Sequence, residues 1–177
     1  VKDLATFRRF LSLLASRHGQ ILNKSALAAP LGISVPTLTE WLSILEITGE
    51  IIIIPPFFEN FGKRMVKSPK VYWLDPGLVW YLLGIESLSQ LEHSPFIGAI
   101  FEGFVASEII KNQIHHGKRK ELYYFRDEQG LEIDLIKPGP AGSLDLLEVK
   151  WSKTILPKMA APLVHLQSKI QARETQG

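Results

Sequence analysis

Leu131-Glu132-Ile133-Asp134-Leu135-Ile136 and, after seven intervening residues, Leu144-Asp145-Leu146-Leu147-Glu148-Val149-Lys150-Trp151 are the two stretches on which the fold turns. Both are short apolar runs bounded by turn formers, and both read as strands, over residues 131–136 and 144–151. The connection Lys137-Pro138-Gly139-Pro140-Ala141-Gly142-Ser143 has the length and composition of a hairpin loop. Strand side chains alternate, which puts Glu132, Asp134 and Ile136 on one face, and Leu144, Leu146, Glu148 and Lys150 on one face of the next strand. The acids and the lysine can therefore converge where the second strand leaves its apolar part.

Two facing carboxylates repel, which raises at least one pKa, and one lysine offsets that only in part. A hard divalent cation, magnesium or manganese, resolves the repulsion. Hydrolysis of a phosphodiester needs such a cation on carboxylate oxygens, a water near phosphorus, and a positive group to orient it. Asp134 and Glu148 would hold the metal and Lys150 would supply the charge. An ordinary surface ion pair on an edge strand would produce the same Glu-x-Lys spacing.

Outward from these strands, residues 97–115 read as a helix, 122–126 as a preceding strand, and the chain from 156 as helical again, with a frayed or clipped polar tail at 171–177. The first helix offers two acids. Glu102 flanks its apolar stripe beside Val105, Ala106 and Ile109. Glu108 falls nearer the centre with Phe101, Phe104 and Val105, where a carboxylate is costly unless paired or metal-bound. Glu132 is either an additional ligand or a solvent-facing acid.

The first half has a different pattern. Leu4, Phe7, Phe10, Leu11 and Leu14 make residues 3–18 an amphipathic helix; Asn23 caps a short one through Leu31; Ser34 caps a third with the stripe Leu38, Trp41, Leu42 and Leu45. Two strands, 51–54 and 71–74, flank a long connection, and a short helix at 76–83 follows. Three helices and a two-stranded ribbon describe a winged helix. Thr37, Thr39 and Glu40 would be exposed near the start of its third helix, a poor surface for reading bases because Glu40 repels phosphate. The wing is better equipped: Lys63, Arg64, Lys67 and Lys70 are candidates for phosphate contact, with Phe57, Phe58 and Phe61 interleaved. His115-His116-Gly117-Lys118-Arg119-Lys120 forms a second basic run at a helix end, where cations complement the dipole. Trp41, Trp73, Trp80 and Trp151 read as core or domain-interface residues.

Composition bounds these readings. The 177 residues are 46% hydrophobic and 21% charged, with a net charge of +2, so nucleic acid is permitted as a partner without being demanded. There is no cysteine for a disulfide or thiolate zinc site, and neither a signal peptide nor a bilayer-spanning run, so a cytoplasmic protein with no membrane association is expected. The start at Val1, directly before a helical pattern, points to a piece of a longer chain.

Over residues 97–170, the order helix with Glu, strand, strand with Asp, strand with Glu-x-Lys, helix resembles the PD-(D/E)xK (restriction-endonuclease-like) superfamily. Asn60-Phe61-Gly62-Lys63-Arg64, Lys67-Ser68-Pro69-Lys70-Val71-Tyr72-Trp73-Leu74-Asp75-Pro76-Gly77-Leu78, Phe101-Glu102-Gly103-Phe104-Val105, Tyr124-Phe125-Arg126-Asp127 and Glu132-Ile133-Asp134 extend the likeness. In this order they resemble the C-terminal region of prokaryotic AAA+-type ATPases with the domain of unknown function 4143 (DUF4143). The resemblance implies an α+β chain: a winged-helix domain at 1–85, a linker at 86–95, and a PD-(D/E)xK nuclease-like α/β core at 96–177. It favours Glu102 as the helical acid, beside Asp134, Glu148 and Lys150. It also implies DNA and an upstream ATPase domain of the same polypeptide as partners, with oligomers open. No Gly-x-x-x-x-Gly-Lys-Ser/Thr segment occurs, so no ATP site is assigned to this chain. The implied function is a DNA-binding, magnesium-dependent nuclease module; the alternative is a non-catalytic DNA- or protein-binding module with a degenerate nuclease fold.

Overall fold

The computed structural model describes residues 3–57 and 67–174, with side chains through Ile170. Lys63, Arg64, Phe58 and Phe61 of the expected wing lie outside these residues.

Helix starts follow side-chain caps, those at Asn23 and Ser34 as expected. Asp3, Asn23, Ser34 and Asp75 each accept a backbone N–H of the first turn, opening α1 (Leu4–Ala15), α2 (Lys24–Ala28), α3 (Val35–Ile47) and α4 (Pro76–Leu82). A two-residue strand β1 (Gln20–Ile21), too short to carry a periodic signal, joins β2 (Ile51–Ile54) and β3 (Lys70–Trp73) in an antiparallel sheet of order β1-β3-β2. Ile51 lies opposite Trp73, and Ile54 opposite Lys70.

That sheet is buried on both faces, which explains a run of four isoleucines where a half-exposed strand would alternate. Ile51, Val71 and Trp73 enter a core with Phe10, Leu14, Leu38 and Leu42. Ile52, Ile54 and Tyr72 enter a second core with Ala106 and Ile110 of α6 (Ile97–His115) and with Leu122, Tyr124 and Leu135. Residues 86–95, read as a linker, hold the short helix α5 (Leu88–Glu92), whose Leu91 is buried in the first core.

The second sheet is antiparallel, with β5 (Glu132–Pro138) between β4 (Tyr123–Arg126) and β6 (Leu144–Leu147). Its far face packs Phe125, Ile133 and Ile136 on Leu166 of α7 (Ala161–Glu174), a helix that continues into the tail expected to fray. The two sheets also touch directly: the Phe57 N–H donates to the Tyr124 carbonyl at 2.7 Å, and the Tyr124 N–H donates to the Pro55 carbonyl at 3.2 Å.

Two sequence expectations need correction. Tyr123 pairs with Ile136 but Phe125 with Ile133, so β5 carries one extra residue opposite Tyr124. This bulge breaks the alternation, and Ile136 shares a core with Ile133 instead of a face with Glu132 and Asp134. The third strand stops at Leu147, short of 151, because the Val149 N–H is taken by the Asp134 carboxylate at 2.8 Å, where a ladder carbonyl would be needed.

Where α6 crosses β3, His18 is 2% exposed and its Nδ1 accepts the Trp73 N–H at 3.1 Å, leaving Nε2 as the protonated nitrogen. Nε2 faces Gly103 so closely that a Cβ there would lie 2.0 Å away. Gly103→Ala should therefore destabilise the fold by ~1–3 kcal/mol of overpacking, outweighing the roughly 1 kcal/mol gained in helix propensity. Thermal denaturation tests this, and an unchanged or raised Tm would refute it. Burial, opposed by the Ala99 carbonyl, lowers the His18 pKa from 6.5 to about 4. The unfolded chain thus binds the extra proton first, and this contribution to stability, full above pH 6.5, is lost as pH falls toward 4. Relative to His18→Gln, the wild type should lose roughly 3 kcal/mol across that window; parallel stability-against-pH curves would count against it.

Candidate functional site

The period of β3 aims Lys70 and Tyr72 at α6, on the face opposite Val71 and Trp73. Both reach one carboxylate. The Lys70 ammonium, 3% exposed, donates to Glu102 Oε1 at 3.1 Å and pairs with Glu132 Oε1 at 2.8 Å, while the Tyr72 hydroxyl donates to Glu102 Oε1. The Tyr124 ring centroid lies 5.3 Å from the same ammonium. Glu132 also faces Arg126 at 3.6 Å. Lys70, expected on the wing against phosphate, is thus committed to the interior; Lys67 stays exposed.

Glu102, then, is the acid α6 brings to the cluster. Glu108 is not central: its side chain is 53% exposed and pairs with Lys111 at 3.0 Å. The buried side of α6 is Ile100, Gly103, Ala106, Ser107 and Ile110, in which the small Gly103, Ala106 and Ser107 allow close approach, in place of Phe101 and Phe104. Helical-wheel reasoning misplaces Glu108 because α6 is apolar almost all round.

Asp134 and Glu148 lie beside this pair. Asp134 is 7% exposed; its Oδ2 accepts the Val149 N–H and lies 3.5 Å from the Lys150 ammonium. Lys150 also pairs with Glu148 Oε1 at 2.6 Å, and the buried Glu148 Oε2 has no hydrogen-bond partner among the described residues. Lys150 thus spans both carboxylates, as the sequence expected. The route differs, since Glu148 and Lys150 sit beyond the end of β6 and not on it. Among the described residues no three carboxylate or imidazole groups form a metal-binding group.

The electrostatics follow from four acids around two lysines. Burial raises the Glu102 pKa, with the Asp134 charge adding to it and Lys70 opposing. Burial likewise raises that of Glu148, against the pull of Lys150. For both lysines burial acts to lower the pKa but the carboxylates win, so each remains an ammonium. The basic run at the end of α6 lies elsewhere: Lys118 and Arg119 line a groove of about 840 Å³ with Glu108, Lys137 and Asp145, of mixed sign.

The signal missed in the sequence was Lys70-Val71-Tyr72, a charged residue in phase with a buried tyrosine on a strand covered on both faces. Lys70→Met should cost about 3–5 kcal/mol, because it strands the buried Glu102 without its cation, while Glu132 keeps Arg126. Protonating the raised Glu102 relieves the defect, so the loss should shrink on going from neutral pH to pH 5. Denaturant midpoints at the two pH values test this; a loss under about 1 kcal/mol, or one independent of pH, would show that the pair does not hold the halves together.

Among curated proteins, the chain is 36% identical over 168 residues to the uncharacterized proteins Rv2008c of Mycobacterium tuberculosis and Mb2031c of Mycobacterium bovis. The match covers 92% of this chain and 36% of each relative, so the chain spans about a third of their length. No solved structure matches it significantly. The model of DUF4143, a domain of unknown function, matches residues 97–177, as the sequence resemblance implied. Residues 1–89 match the model described as Domain of unknown function (DUF8612), and with half its length so matched the chain belongs to the DUF8612 family, its second half matching DUF4143.

Proposed function

We propose that the chain is a nucleic-acid-binding, nuclease-like module in which Asp134 and Glu148 hold a divalent cation and Lys150 orients the attacking water. The observation that carries this is the Glu148 Oε2: a buried carboxylate oxygen without a hydrogen-bond partner among the described residues, beside a second buried carboxylate. Leaving such an atom unsatisfied costs about 1–3 kcal/mol or more, and an oxygen-seeking cation removes that cost. The residues fit magnesium or manganese with two protein carboxylates, the remaining positions falling to water and substrate. Bound there, the cation would supply Lewis-acid stabilisation of a phosphoryl oxygen. The rest belongs to the chain: Asp134 is held by the Val149 amide, and the partly exposed Lys150 can lend a donor to a water or a phosphate oxygen.

The order α6, β4, β5, β6, α7, with its acids near the ends of β5 and β6, supports a PD-(D/E)xK reading. The three N-terminal helices before β2 and β3 support a winged-helix reading. An upstream ATPase domain in the same polypeptide is consistent with relatives whose length extends well beyond the matched segment. One observation favours the non-catalytic alternative: Glu102, the helical acid of the resemblance, already has Lys70 and Tyr72 as partners, so we assign it to positioning and not to the metal.

Cleavage of single-stranded, duplex and branched DNA with magnesium or manganese tests the proposal, comparing the chain with Asp134→Ala and Lys150→Ala. Activity should fall at least about a hundredfold in both, the scale of losing a metal ligand or a charge-stabilising donor. Calorimetry should find metal binding that Asp134→Ala and Glu148→Gln abolish. Cleavage untouched by either substitution, or metal affinity retained in both carboxylate variants, would sink the catalytic reading.

A further inference from the structure

Residues 149–173 contain five Lys or Arg and no Asp or Glu, so the chain's small positive charge comes from this stretch and the remainder is on balance acidic. Its first part runs over the surface directly after the carboxylate pair. Lys150, Trp151, Ser152, Lys153, Thr154, Ile155, Leu156 and Lys158 are all exposed. Lys153 and Lys158 form no ion pair among the described residues, unlike Lys150, engaged with Glu148 and Asp134, and Lys169, which faces Asp127. The strip therefore presents free cations beside a site whose own charges are balanced internally.

Trp151, read as a core or domain-interface residue, is not in the core. It is 51% exposed and meets Phe101 of α6 in a tilted edge contact, with ring centroids 5.4 Å apart and planes at 67°. Phe101 precedes Glu102, and Trp151 follows Lys150, so the aromatic pair borders the cluster from two elements. An indole held at its edge, half open to water and flanked by Lys150 and Lys153, offers a flat apolar surface between positive charges. That combination suits an unpaired base with phosphates on either side. Bases in a duplex have their faces covered by neighbours and cannot use it.

We propose that the strip from Lys150 to Lys158 is a track for single-stranded nucleic acid, with Trp151 stacking on a base next to the carboxylate pair. This rests on the nucleic-acid reading above and narrows its substrate to unpaired strands. The test is fluorescence anisotropy with a labelled oligothymidylate of about 15 nucleotides, near the upper site size of a single binding module, in chelator so that cleavage cannot contribute. The chain should bind the oligothymidylate more tightly than a duplex of equal length. Trp151→Ala should weaken binding about five- to a hundredfold, with Trp151→Phe keeping most of the affinity and both variants keeping the wild-type Tm. Lys153→Gln with Lys158→Gln should reduce the slope of log affinity against log salt concentration by about 0.7 per lost phosphate contact. Equal affinity for duplex, no loss in Trp151→Ala, no binding at all, or equal competition by polyglutamate would overturn the inference. A chain that binds single strands through Trp151 yet never cleaves overturns only the catalytic reading; one that cleaves while Trp151→Ala binds normally overturns only the track.

Discussion

A lysine ammonium removed from water is the constraint around which this chain is arranged. Lys70 lies on the edge of a helical N-terminal assembly, and every group that makes its burial tolerable comes from further along the chain: Glu102 from α6, Glu132 from β5, and the Tyr124 ring from β4. A desolvated charge costs several kcal/mol unless it is closely paired, so the first half cannot bury Lys70 without the second. The contact is directional as well as strong. Moving α6 by one turn, about 5.4 Å, would carry Glu102 out of reach of both Lys70 and Tyr72. Gly103 reinforces the same register by accepting His18 where no side chain fits.

The candidate site inherits its order from this arrangement. Asp134 has two jobs for one side chain: it faces Lys150, and it captures the Val149 amide, ending β6 and turning Glu148 and Lys150 away from the ladder. The bulge in β5 lies at the same point, where the strand shifts a residue to let Asp134 and Leu135 serve one side of the sheet while Ile133 and Ile136 serve the other. Bulges tend to occur where a strand must re-aim a side chain. Positioning is local and backbone-based at Asp134, and long-range and electrostatic at Glu102.

Much of the fold was legible because its signals are local. Caps at Asn23 and Ser34, the apolar stripe of α3 and the bounds of α6 are set by residues within one turn of one another. The acids of the site were legible for the same reason, as residue types at fixed spacing on adjacent strands. The choice between Glu102 and Glu108 was not, since a helix apolar on most sides has no face until a partner selects one. Lys70 was illegible for a deeper reason: its phase with Tyr72 means burial only once the strand is known to be covered on both faces, and its partners lie 32 and 62 positions away. The end of β6 was likewise decided by a side chain from another strand, which strand periodicity does not encode.

Tyr124 carries a consequence for the stretch between Phe57 and Lys67. Its backbone is bonded to Phe57 and Pro55, on one side of that stretch, and its hydroxyl donates to the Ser68 carbonyl, on the other. Residues on both sides of the connection are therefore bonded to one residue of β4, in addition to their own pairing within the first sheet, and the strand next to β4 bears Asp134. Tyr124 is thus a junction at which the C-terminal end of β2 and the approach to β3 both meet the sheet that carries Asp134.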